Sequence, residues 1–147
     1  MHSIELLNKF LKDELSAVET YQQALDKLKE DAELGKSDSL IPIYDDHKEA
    51  VSSLQTLINQ LGGSPAADSG AWGAWTQIVI GGAKLLGKKA TLRALQEGEK
   101  FGAGDYEKAL QDAELTSDIR SLIETKLLVA KQANIRALDR LLDTEAA

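Results

Sequence analysis

The sequence predicts an all-α chain, a bundle of four long helices with an additional short helical segment between the second and third. Three observations carry this expectation. Apolar residues recur at helical steps of three and four along most of the chain, the period-two alternation of half-buried strands is absent, and Gly or Pro punctuates the helical stretches. Helices of roughly 22 to 30 residues run about 33 to 45 Å at 1.5 Å per residue. In a chain of 147 residues they can bury their apolar stripes only against one another.

The first helix is expected over residues 3–32, with Leu7, Phe10, Ala17, Tyr21, Ala24 and Leu28 on one face. Gly35 and the polar run 36–39 end it. A second begins near Ser39 and tolerates Pro42 in its first turn, where a missing amide proton costs little. Its face is Ile43, Ala50, Leu54, Leu57 and Leu61, and Gly62, Gly63 and Pro65 close it.

A short apolar helix, capped by Asp68 or Ser69, is expected over residues 71–86. Its Trp72, Trp75, Ile78, Val79 and Leu85 are too many for a loop facing water, so it covers a core or meets a partner. The third long helix reads over 88–113, with Leu92, Leu95, Tyr106 and Ala109 on one side. The fourth reads over 117–143, capped by Thr116 or Ser117.

The length suits one domain spanning 1–147, large enough to bury a core without metal or disulfide support. There is no Cys, which excludes disulfides, thiolate metal sites and cysteine nucleophiles. A formal charge of -7 repels phosphate backbones, so no nucleic acid partner is expected. The amino-terminal stretch lacks the basic start and unbroken apolar run of a secretory signal, and the expected location is cytoplasmic. The apolar passage 71–86 contains Lys84 and is too short to span a bilayer, so no stable membrane insertion is expected.

Residues 14–25, ELSAVETYQQAL, pair with residues 99–110, EKFGAGDYEKAL. The Glu, the Tyr seven positions on and the closing Ala-Leu are kept. Residues 47–57 pair less closely with 131–141 at nearly the same offset. Two helix pairs related by pseudo-symmetry would produce this pattern.

Glu14 and Glu99 each interrupt an apolar stripe, as does His47 between Ile43 and Ala50. On the fourth helix Glu124, Lys131 and Asn134 share a face with Leu127, Leu138 and Leu141, the alternative being that one or two of these residues, Glu124 above all, point to solvent at the edge of a stripe. Isolated charges in a bundle core are costly, so these groups should pair or contact buried water or metal. One reading is a buried polar network in which Lys131 and protonated His47 balance Glu14 and Glu99, with Tyr21, Tyr44, Tyr106 and Asn134 in the same polar core. The other is a site of oxygen and nitrogen ligands, Glu14, His47 and Glu99, for Fe, Mn or Zn. The first, with no cofactor, is preferred.

The segments LNKFLKDELSAVETY, HKEAVSSLQTLINQLGGSP and LRALQEGEKFGAGDYEKAL resemble the ferritin-like superfamily. More closely, they are similar to a bacterial family of ferritin-like four-helix-bundle domains of unknown function. Diiron members of that superfamily carry Glu on the first and third helices and a Glu-x-x-His pair on the second and fourth. The resemblance matches Glu14, Glu99 and His47 to three of those ligands. Tyr44 stands where the second helix should offer its bridging Glu, and Leu128 and Lys131 stand in place of the fourth-helix pair. Two adjacent cations need shared negative ligands, and this set supplies too few.

The glycines of GGAKLLGKK form no phosphate-binding motif, and no hydroxyl side chain has a convincing base and orienter. The expected function is therefore a non-catalytic structural or protein-interaction module, with the resemblance implying a link to stress physiology. The alternative is a divergent metal-binding protein or oxidoreductase using Glu14, His47 and Glu99. Trp72, Trp75, Ile78 and Val79 are the expected interaction surface, and a homodimer is preferred over a complex with another protein because two-fold dimers are the commonest closed assembly. Lys131 is expected to bring its ammonium to Glu14 or Glu99.

Overall fold

Residues with strong helical periodicity and few β-branched runs form helices and, among the described residues, nothing else that is regular except short turns. A computed structural model describes residues 2–30, 38–68 and 88–146. The protein is all-α, with a four-helix-bundle-like arrangement of its long helices. Its packing falls into two compact units, Met1–Thr91 and Leu92–Ala147. No helix among the described residues is long and apolar enough to cross a membrane.

In the first unit, helix α1 (His2–Glu30) packs along α2 (Ile41–Gln60). Leu7, Phe10, Leu11, Ala17, Tyr21, Ala24 and Leu25 of α1 are buried, as are Ile43, Ala50, Leu54, Leu57 and Ile58 of α2. A 3-10 turn, Asp38–Leu40, leads into α2. Pro42 sits in the first turn, where no intrahelical donor is needed.

The end of α2 follows from its two glycines. The amide of Gly63 donates to the carbonyl of Ile58 at 2.9 Å and that of Gly62 to Asn59 at 3.1 Å, so two orphan carbonyls are satisfied by a left-handed cap. Gly62 has φ +83°, and only a residue without Cβ adopts that angle freely. Gly62→Ala is expected to cost about 1 to 2 kcal/mol in denaturant unfolding, with nearby packing unchanged because a Cβ there meets nothing within 4 Å. At Gly63 the constraint is space: a Cβ would stand 2.7 Å from Cγ2 of Ile4. Asn8 ties the following chain to α1, with Nδ2 donating to Ser64 O at 3.1 Å and Oδ1 accepting from Ala66 N at 2.8 Å.

Helix α3 (Lys88–Leu110), which enters the second unit at Leu92, ends earlier than the predicted residue 113. The guanidinium of Arg120 reaches back to donate to Leu110 O and Asp112 O, at 3.0 and 3.1 Å, closing the helix end with a cation. The fourth long helix comprises α4 (Ser117–Leu122), a π-helical segment Ile123–Leu127 and α5 (Leu128–Ala146). Thr116 is its N-cap residue without a side-chain capping bond. Its buried residues are Ile119, Ile123, Leu127, Lys131, Asn134 and Leu138.

The short helix expected over 71–86, with Trp72, Trp75, Ile78 and Val79, lies outside the described residues.

Candidate polar core

Among the described residues, each unit carries one buried glutamate with a basic partner supplied by a different helix. In the first, α1 places Glu14 and α2 places His47, each about as buried as any residue in the chain, at 1% and 2% exposed. His47 Nδ1 lies 2.5 Å from Glu14 Oε2, a bond in which the ring N–H donates to the carboxylate. A charge-assisted bond this short is stronger than one between neutral groups. Tyr21, one α1 face further along, stacks on the His47 ring with centroids 5.1 Å apart and 29° between planes. The hydrogen bond and the ring packing together fix the imidazole in one orientation.

In the second unit, α3 places Glu99 and α5 places Lys131 and Asn134, all buried. Lys131 Nζ is 3.4 Å from Glu99 Oε2, and Asn134 Nδ2 donates to Glu99 Oε1 at 3.4 Å. The ammonium also lies 6.0 Å from the centre of the Tyr106 ring, at the outer edge of a cation–π contact. Gly102 makes room for the lysine stem, since a Cβ there would stand 2.9 Å from Lys131 Cε. Further along, Gln96 Nε2 donates to Ile135 O at 3.2 Å and to Asp139 Oδ1 at 2.5 Å, which ties α3 to α5 through a buried amide.

The two groups repeat one design: glutamate, a tyrosine seven residues later on the same helix, and a basic side chain from the next long helix. Glu14, Tyr21 and His47 form the first, Glu99, Tyr106 and Lys131 the second. Glu99 has an ammonium within its own unit and Glu14 an imidazole within its own.

Two expected placements are corrected. Tyr44 is half-buried and outside the buried polar layer, because its hydroxyl turns to the exposed Gln22, donating to Oε1 at 2.5 Å, while Lys48 covers its ring at 4.4 Å. Glu124 is exposed rather than sharing the face of Leu127 and Lys131, because the π-helical segment changes the register between them. Sequence periodicity does not mark Arg120, Gln96 or Gly102 as polar or packing determinants. Arg120 and Gln96 act across chain separations that periodicity does not register. Gly102 lies on the Glu99 stripe, the one signal that could have found it.

A two-metal centre does not fit these residues. His47 already donates to Glu14, an ammonium occupies Glu99, Tyr44 is engaged by Gln22, and Leu128 offers no donor atom. Among the described residues no group of three or more His, Asp or Glu side chains is placed to hold a metal ion.

The model of one protein family, Domain of unknown function (DUF2383), matches residues 2–112. No curated protein and no solved structure matches the chain.

Proposed function

We propose, for a chain that belongs to the DUF2383 family, a non-catalytic role: a ferritin-like helical module that presents its outer helix faces to a protein partner, and whose core needs no metal. The observation that supports this reading is the Lys131–Glu99 pair beside the bond between Asn134 and Glu99. In a metal-binding relative of this architecture, cations would offset the core carboxylates. Here the ammonium of Lys131 and the imidazole of His47 are held against them, and a divalent ion would have to displace one of these groups from each acid. The link to stress physiology is part of the same proposal and rests on resemblance alone.

Metal analysis of protein purified without a metal-capturing tag tests it. The expected result is no stoichiometric Fe, Mn or Zn and an unfolding midpoint unmoved by chelator. Saturable binding that disappears in the Glu14→Gln, His47→Leu, Glu99→Gln triple variant would establish the alternative, a divergent metal-binding protein or oxidoreductase.

A further inference from the structure

The fourth long helix keeps one face buried by an uneven set of steps. Ile119, Ile123, Leu127 and Lys131 follow one another at four residues each before Asn134 at three and Leu138 at four. An α-helix turns once in 3.6 residues, so three successive steps of four carry a stripe about a third of the way round its surface. The π-helical segment Ile123–Leu127 absorbs this drift. The amide of Leu128 donates to the carbonyl of Ile123, five residues back, and one turn therefore holds one residue more than its neighbours. Glu124, Thr125 and Lys126 are exposed there, and the Thr125 hydroxyl donates to Ser121 O at 2.7 Å.

The same helix contains a second stripe. Ala130, Ala133 and Ala137 repeat the spacing of Lys131, Asn134 and Leu138 one residue earlier. Joined to Ile119 and Ile123 through Lys126, they give alternating steps of four and three, the pattern an uninterrupted α-helix keeps on one face. All three alanines are half-buried beside the occupied stripe. Val129, half exposed at 50%, would move into the half-buried place of Ala130 if the downstream helix turned back by one residue.

We infer that the fourth helix is a two-register element. In the π register Lys131, Asn134 and Leu138 are buried and Glu99 has its counter-charge. In the α register the π turn closes to α, Ala130, Ala133 and Ala137 take those three seats, and the Lys131 ammonium leaves Glu99.

Opposed terms set the balance. The π register gains the Lys131–Glu99 pair, the Asn134 bond, the Gln96 bonds to Ile135 and Asp139, and the burial of Leu138. It gives up regular i to i−4 bonding through one turn and holds an ammonium away from water. The α register restores the bonding, releases the Lys131 ammonium and covers Val129, but it turns Leu127 outward and brings the stem of the exposed Lys126 toward the place Leu127 holds. Three alanines are smaller than Lys, Asn and Leu, so this register opens space beside the Glu99 carboxylate, which water or a small cation fills. The register thus decides whether that acid is neutralised by the protein's own lysine. This goes beyond the non-catalytic reading and does not depend on it.

Because the chain has no cysteine, single introduced thiols report each register by their rate of alkylation. The probes are Leu138→Cys, which turns outward in the α register, and Ala137→Cys, which turns inward. Glu99→Gln removes the ammonium's partner and shifts the balance toward the α register. In that background the thiol at 138 is expected to react about tenfold faster and that at 137 correspondingly slower. Lys131→Ala should give the same reciprocal pattern, and it carries the test if Glu99→Gln fails to fold. Deleting Thr125 removes the extra residue, makes the helix continuous with Lys131 still facing Glu99, and should abolish the reciprocal change. Unchanged rates at both probes in the folded variants would overturn the inference. So would acceleration of both together, which is local unfolding rather than rotation.

Discussion

Lys131→Met is expected to lower the free energy of unfolding by about 3 to 5 kcal/mol, read from the denaturant midpoint at constant m-value. Methionine keeps much of the apolar stem that lies against Gly102, so packing changes little. What remains is a carboxylate, Glu99, at 1% exposure without the ammonium 3.4 Å away. Asn134 still donates to its other oxygen, but a neutral amide does not offset a buried negative charge. The double variant Glu99→Leu, Lys131→Met removes both charges and should recover most of the loss, since an apolar pair of suitable volume often equals a buried ion pair in stability. A single-variant loss below about 1 kcal/mol would place the pair among those of a solvated surface and contradict its burial.

His47→Leu is expected to be as costly, about 3 to 5 kcal/mol, for the same reason on the other unit. Leucine cannot donate to Glu14, so an acid at 1% exposure loses its bond to the ring, and the ring packed on Tyr21 is lost as well. Glu14→Leu combined with His47→Leu should be more stable than His47→Leu alone. A double-mutant cycle over these two positions measures the coupling directly, and additive losses would show that the 2.5 Å contact contributes nothing of its own.

The parts legible in the sequence are those set by local chemistry. On the periodic stripes of α1, α2 and α3, Phe10, Tyr21, Leu54, Leu92 and Tyr106 are all inside, and Leu28 lies outside the described side chains. Gly62 and Gly63 mark the end of α2, the first taking the left-handed angle of the cap and the second the close approach to Ile4. Glu14, His47, Glu99 and Lys131 stood out as charges on apolar stripes, and the repeat of Glu and Tyr between residues 14–25 and 99–110 marked two similar polar groups.

Other features depend on contacts that periodicity does not register. Leu61 fits the helical stripe of α2 yet is 40% exposed, because the cap turns the chain just there. Tyr44 lies one position from the buried Ile43, and its hydroxyl chose Gln22 of another helix over the interior. Arg120 closes the end of a helix ten residues before it, a distance set by how the turn folds back.

The sequence by itself determined the helical class, the position of the α2 cap and which charges had to be reconciled with an apolar interior, because propensity, periodicity and desolvation act on residues wherever the chain goes. Only the tertiary structure decided how they are reconciled. An i to i−4 helix would have turned Lys131 away from the stripe of Ile119 and Ile123, and one extra residue in the turn Ile123–Leu127 brings it back to Glu99. That choice turns on the free energy of a buried pair formed across 32 residues of chain, which no local pattern contains.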